Sequence, residues 1–114
     1  MRVVVVTPPA PTVTIAEAKL HLKVEHDDDD VLIESFVAAA TGHIDGPSGW
    51  LGRAIGVQVL EAHGHLASYD AITLPYPPVI EVVSVSYQDT AGVWQVLAPE
   101  RYELRGTVLG NAWA

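Results

Sequence analysis

From Leu74 to Tyr87 the chain reads Leu-Pro-Tyr-Pro-Pro-Val-Ile-Glu-Val-Val-Ser-Val-Ser-Tyr, a proline-stiffened corner running into a long apolar stretch. Proline fixes φ and removes a backbone donor, so Pro75, Pro77 and Pro78 allow neither a helix nor an interior strand across the corner. Beyond it Val79, Glu81, Val83, Val85 and Tyr87 alternate with Ile80, Val82, Ser84 and Ser86. Both sets are largely apolar, the pattern of a strand covered on two sides. The corner therefore separates a first half with helical spacing from a second half with strand spacing.

A chain of 114 residues has the size of one compact domain, able to hide roughly two thirds of its extended-chain surface. A single domain over residues 1–114 is expected, with an extended arm at 1–13, a helical part at 14–49 and a β part at 54–110. Hydrophobic residues make up 49% of the chain, which argues against disorder, yet its longest apolar runs fall far short of the ~20 residues that span a bilayer. No membrane partner is expected. Thr7, Pro8 and Pro9 interrupt the N-terminal valines before a secretory h-region forms. Without cysteine there is no disulfide framework, thiol nucleophile or Cys-based zinc site, as suits a reducing compartment. Fourteen acids against six bases give a net charge of −8, which opposes nonspecific binding to a phosphate backbone. The same field suits a surface past which nucleic acid slides without sticking.

Residues 2–6 form an apolar β-type run, and Thr7-Pro8-Pro9-Ala10-Pro11 continues it as an extended lead-in. Thr14-Ile15-Ala16-Glu17 has the spacing of a capping box and predicts a short helix from Ile15 to near Lys23. A longer helix is predicted over 28–44, where Ile33, Phe36, Val37, Ala40 and Ile44 follow the i, i+3, i+4, i+7 rule. Gly46-Pro47-Ser48-Gly49 stops it. From Ala54 the period becomes two, predicting a half-buried strand that ends at Glu61. Further strands are predicted at 71–74, 79–87, 93–97, 101–104 and 107–109, joined by turns. The expected fold class is α+β, an N-terminal helical pair followed by an antiparallel β-meander.

Asp27, Asp28, Asp29 and Asp30 invite a metal hypothesis, since hard cations want several carboxylate oxygens. An EF-hand spacing fails, because Leu32 stands where the loop needs Gly and Ala38 where it needs Glu. The plainer reading is an acidic cap, whose oxygens accept orphan N–H groups and whose charge meets the positive end of the helix. A weak cation site is the alternative. His63 and His65 could meet a metal edge-on from one strand face, but Gly64 and the lack of a third ligand favour exposed turn histidines. His21, His26 and His43 form no H-E-x-x-H pair, Ser35 and Ser48 lack a G-x-S-x-G elbow, and no phosphate-binding G-x-x-x-x-G-K-[ST] loop is present. No enzyme activity, catalytic residue, cofactor or metal site is expected. Trp50 and Trp113 are candidate interface anchors, as tryptophan is enriched at binding hot spots, whereas Trp94 on its strand is equally suited to the core.

The order of motifs carries more than any one of them. Thr12-Val13-Thr14-Ile15-Ala16-Glu17-Ala18-Lys19 and Leu20-His21-Leu22-Lys23-Val24 come first, followed by Asp28-Asp29 and the helix at 31–40. Some fifty residues after the opening come Leu74-Pro75-Tyr76-Pro77-Pro78-Val79, then Val82, Ser84, Val85 and Tyr87. This arrangement resembles the head–tail connector (adaptor) proteins of long-tailed bacteriophages, and phage-derived gene transfer agents carry similar adaptors. The resemblance implies a structural protein of the virion neck, assembled in the bacterial cytoplasm, with a small helical bundle joined to a β-rich part. It further implies a homo-oligomeric ring, dodecameric in related systems, whose partners are the portal protein and a stopper or tail-side neck protein. DNA would pass through the lumen without specific binding. On that view Asp27, Asp28, Asp29 and Asp30 line the lumen or an intersubunit surface, and Pro75, Pro77 and Pro78 form a rigid junction. A stopper or tail-terminator type of neck protein is the nearest alternative, and a small metal-binding module a further one.

Overall fold

The computed structural model describes residues 1–65 and 71–111, which fall into two compact units, Met1–His63 and Gly64–Ala114. Two helices are followed by antiparallel strands in small sheets, an α+β fold with an N-terminal helical pair.

The first unit opens with strand β1 (Arg2–Thr7), continues through helices α1 (Ile15–Leu22) and α2 (Asp30–Ile44), and closes with β2 (Val59–His63). Helix α1 starts where its capping box predicts. Glu17 N–H donates to Thr14 Oγ1 and Thr14 N–H donates to Glu17 Oε1, each at 3.1 Å, so two orphan donors of the first turn are satisfied reciprocally. The bonds with Thr14 hold the Glu17 carboxyl below its ordinary pKa. Lys23 ends the helix in the left-handed region at φ 59, with its N–H reaching Leu20 O and Val24 N–H reaching Lys19 O. Along α2 the predicted stripe faces α1, but only Ile33 is buried, while Val37 and Ile44 are half-buried and Phe36 remains exposed.

Two expectations change in this unit. The N-terminal run is not a free arm, because β1 pairs antiparallel with β2 from Arg2↔His63 to Thr7↔Val59, with an irregularity between Val5 and Thr7. The strand expected over 54–61 begins only at Val59. Its first part is diverted, since the backbone N–H groups of Ile55 and Gly56 and the side-chain amide of Gln58 all bind the Asp45 carboxylate instead of a ladder.

In the second unit, β3 (Ala71–Thr73), β6 (Tyr102–Arg105) and β7 (Val108–Asn111) make one sheet of order β3-β7-β6, and β4 (Ser86–Gln88) pairs with β5 (Trp94–Val96) as a separate hairpin. The expected meander is thus broken into two sheets, with β7 inserted between β3 and β6. Leu109 on β7 is the buried aliphatic residue of this unit among the described residues. The long strand expected over 79–87 survives only as β4. Residues 79–85 run without turn or bend but join no ladder, and their half-buried positions are Val79, Val82 and Val85. That period of three, directly after Pro77 and Pro78, suits an extended polyproline-like path rather than the two-sided strand expected.

Candidate assembly surface

A shallow groove of about 310 Å³ lies on the helical pair, lined by Val13, Ala18, Leu22, Ile33, Phe36 and Val37, with Glu17 and His21 also at its wall. Apart from Val13, which precedes α1, spacing places these apolar side chains on facing stripes of α1 and α2, but the two helices alone do not cover them, and Phe36 stays 63% exposed.

Lys19 fixes the link between the helices. Its Nζ donates to Asp27 Oδ1 at 2.7 Å and lies 2.8 Å from Asp30 Oδ1. Asp30 Oδ1 is buried without a well-directed hydrogen bond, so its compensation is the ion pair itself. The Asp27 bond, ahead of the close approach of Asp30, raises the pKa of Lys19, and the reciprocal bond lowers that of Asp27. The four aspartates therefore divide. Asp27 and Asp30 hold Lys19, while Asp28 is exposed and, among the described residues, has an ionic contact with His26 alone, at 3.8 Å. Asp29 occupies the N-cap position of α2 but makes no side-chain capping bond, so the predicted cap by side-chain oxygens is replaced by ion pairing to α1.

Beyond α2, Asp45 is 6% exposed and organises the loop that follows. Its carboxylate accepts from Ile55 N–H at 2.7 Å, Gly56 N–H at 3.1 Å and Gln58 Nε2 at 3.0 Å. Burial pushes its pKa up, but these bonds outweigh burial and hold it below the ordinary value. The loop presents Trp50, whose N–H donates to His43 O at 3.1 Å while its side chain is 69% exposed. Trp113, the other expected anchor, lies outside the described residues.

Pro75 and Pro77 are half-buried and Pro78 exposed, the peptide between Pro77 and Pro78 is cis, and Tyr76 takes φ 55. Further on, the β4–β5 hairpin is organised at its tip by Asp89. Oδ1 accepts from Ala91 N–H and Val93 N–H, each at 2.9 Å, and Oδ2 from Gln95 Nε2 at 3.2 Å. The bond from Val93 leads those that lower the Asp89 pKa. This ordered hairpin leaves Trp94 64% exposed, so Trp94 is not a core residue of the chain by itself.

His63 closes β2 beside Glu61, His65 is exposed, and among the described residues no three His, Asp or Glu side chains converge as metal ligands. No helix there is long and apolar enough to cross a membrane. Of the organising residues, Lys19 stands in the opening motif without a role assigned to it, and Asp45 and Asp89 were not singled out by motif. Only Asp89 leaves a local trace, an aspartate three residues before Gly92 in a predicted turn.

The family model described as phage gp6-like head-tail connector protein matches residues 12–91, from just before the capping box of α1 to the tip of the β4–β5 hairpin. No curated protein and no solved structure gives a significant match.

Proposed function

The chain belongs to the phage gp6-like head-tail connector family, and from that premise we propose that it is one subunit of a ring joining portal to stopper or tail, with DNA passing through the lumen. Family membership carries a structural role at the virion neck, in contact with other head and tail proteins. The finer reading rests on one observation, the large apolar side chains that the described residues leave uncovered: Leu20, Phe36, Trp50, Ile80, Val83 and Trp94 are each at least 63% exposed. Apolar surface left in solvent marks protein–protein contact. Identical subunits in head-to-tail contact close into a ring when the rotation permits, with Pro75, Pro77 and Pro78 as the junction that keeps the angle constant. No catalytic, cofactor or metal role is part of this reading.

The direct test is to mix the purified chain with rings of its cognate portal protein and image the complex. Added density at the portal clip is expected. Portal rings that stay bare at every concentration would sink the connector-ring assignment.

Two residue sets give narrower expectations. Trp50 is proposed as an interface anchor. Because its side chain is exposed, Trp50→Ala should change the urea midpoint of the monomer little, within about 0.5 kcal/mol, yet weaken assembly on the portal by about tenfold or more. Equal assembly by the variant counts against the anchor. Asp28 and Asp29 are proposed to face the lumen or an adjoining subunit, keeping DNA mobile by repulsion. Changing both to Asn leaves the Lys19 ion pairs in place and should impair DNA passage, with the defect growing as salt is lowered. Unchanged packaging and ejection in such particles would remove the lumen role.

A further inference from the structure

We propose that residues 81–84 of one copy pair with the open edge of β1 in the next copy, so that an intermolecular strand contact links neighbouring subunits. This rests on the ring reading above and adds to it the segments that meet. Residues 79–84 form no backbone hydrogen bond with other described residues, and the next ladder contact is Leu97 N–H to Val85 O at 2.8 Å. Ile80 and Val83 are each 75% exposed. An extended segment with unused N–H and C=O groups and outward aliphatic side chains is a template for strand addition.

The occupant is a second copy for reasons of charge. The chain carries net charge −8, so copies repel unless they meet where acids are sparse. Residues 14–44 hold seven acids against two bases, which disfavours the helical groove as a self-contact. Residues 79–85 hold Glu81 as their one charge. β1 carries Arg2 as its one charge, pairs with β2 along one edge, and exposes Val4, Val5 and Val6. Neither Arg2 nor Glu81 has an ion-pair partner among the described residues. A parallel register setting Arg2 against Glu81 also sets Val4 against Val83, and the irregularity after Val5 ends the run opposite Ser84. Donor and acceptor segments differ, so the contact is heterologous, the kind that propagates round a ring.

The test uses the full chain, concentrated alone and examined by native mass spectrometry and sedimentation. Wild type is expected to self-associate. Arg2→Glu and Glu81→Arg should each weaken association on the order of tenfold, and the double exchange should restore it, a recovery that simple misfolding could not produce. The circular dichroism of each variant is compared with wild type. Assemblies indifferent to all three variants would overturn the pairing while leaving the ring reading intact. A wild-type chain that stays monomeric alone at every concentration would likewise overturn it, and the ring reading would then stand or fall on portal binding.

Discussion

Asp45→Ala is expected to destabilise the protein by roughly 2–4 kcal/mol, from about 1–3 kcal/mol for a buried donor left without an acceptor and less where solvent reaches it. The donors are Ile55 N–H, Gly56 N–H and Gln58 Nε2; the Gly56 bond is buried, the other two are half-buried, and Gln58 Nε2 also donates to Gly56 O at 3.2 Å. Against a typical total of about 5–15 kcal/mol, that loss would leave the chain marginal at growth temperature. Asp45→Asn should fall between the two, because one side-chain oxygen remains while an NH₂ group is brought against existing donors. Urea unfolding measured by fluorescence gives the ranking. Asp45→Ala within 1 kcal/mol of wild type would show that the loop repacks and that Asp45 is not its organiser.

The same residue sets a pH dependence. Its folded-state pKa lies below the ordinary carboxylate value near 4, so its contribution is complete above about pH 4 and disappears as pH falls through the lowered folded value. Glu17 and Asp27, both exposed, and the half-buried Asp89 are shifted in the same direction, and solvent weakens each effect. Acid unfolding of wild type should therefore be steeper below about pH 4 than that of Asp45→Asn. Parallel curves for the two proteins would place the acid sensitivity elsewhere.

Local rules made the helical pair readable. Thr14 and Glu17 announce the start of α1 because both halves of the capping box lie within one turn, and the stripe from Ile33 to Ile44 needs only helical periodicity. Errors came where a distant group took over the backbone. Nothing in Ile55-Gly56-Val57-Gln58 reveals that Asp45, ten residues earlier, captures two of its N–H groups and delays β2 to Val59. Residues 79–85 carry strand-like composition, but strand propensity reflects packing against neighbours, and among the described residues no neighbour completes a ladder there. Similarly, the aspartate run advertised a helix cap, whereas two of its members are held by Lys19, which belongs to the preceding helix. The candidate surface was legible only in part for a related reason. Trp50 stood out as a residue type, but the exposure of Phe36, Trp94 and Val83 marks positions where helix or strand periodicity predicted burial within the chain.

Gly49→Ala should cost about 3 kcal/mol or more, at or above the upper end of ordinary overpacking. A methyl group at Gly49 would lie 2.5 Å from both Asp45 N and Ile44 O, and would also press on the Ile44 carbonyl carbon. These are backbone atoms at the end of α2, so no rotamer change relieves the clash. Nor can the loop move away freely. Gly49 N–H donates to Gly46 O at 3.1 Å, the next residue is tied to His43 O, and Asp45 is anchored by Ile55 and Gly56. Gly42 is the internal control. It lies inside α2 with nothing within 4 Å of an added Cβ, so Gly42→Ala should stabilise by about 0.5–1 kcal/mol through helix propensity. Opposite signs for the same glycine-to-alanine change, seven positions apart, would isolate the close approach at Gly49 from any general effect of alanine. Because the loop also displays Trp50, the assembly defect of Gly49→Ala should exceed that of Trp50→Ala, and Gly49→Ala assembling normally would show that the loop geometry is dispensable for assembly.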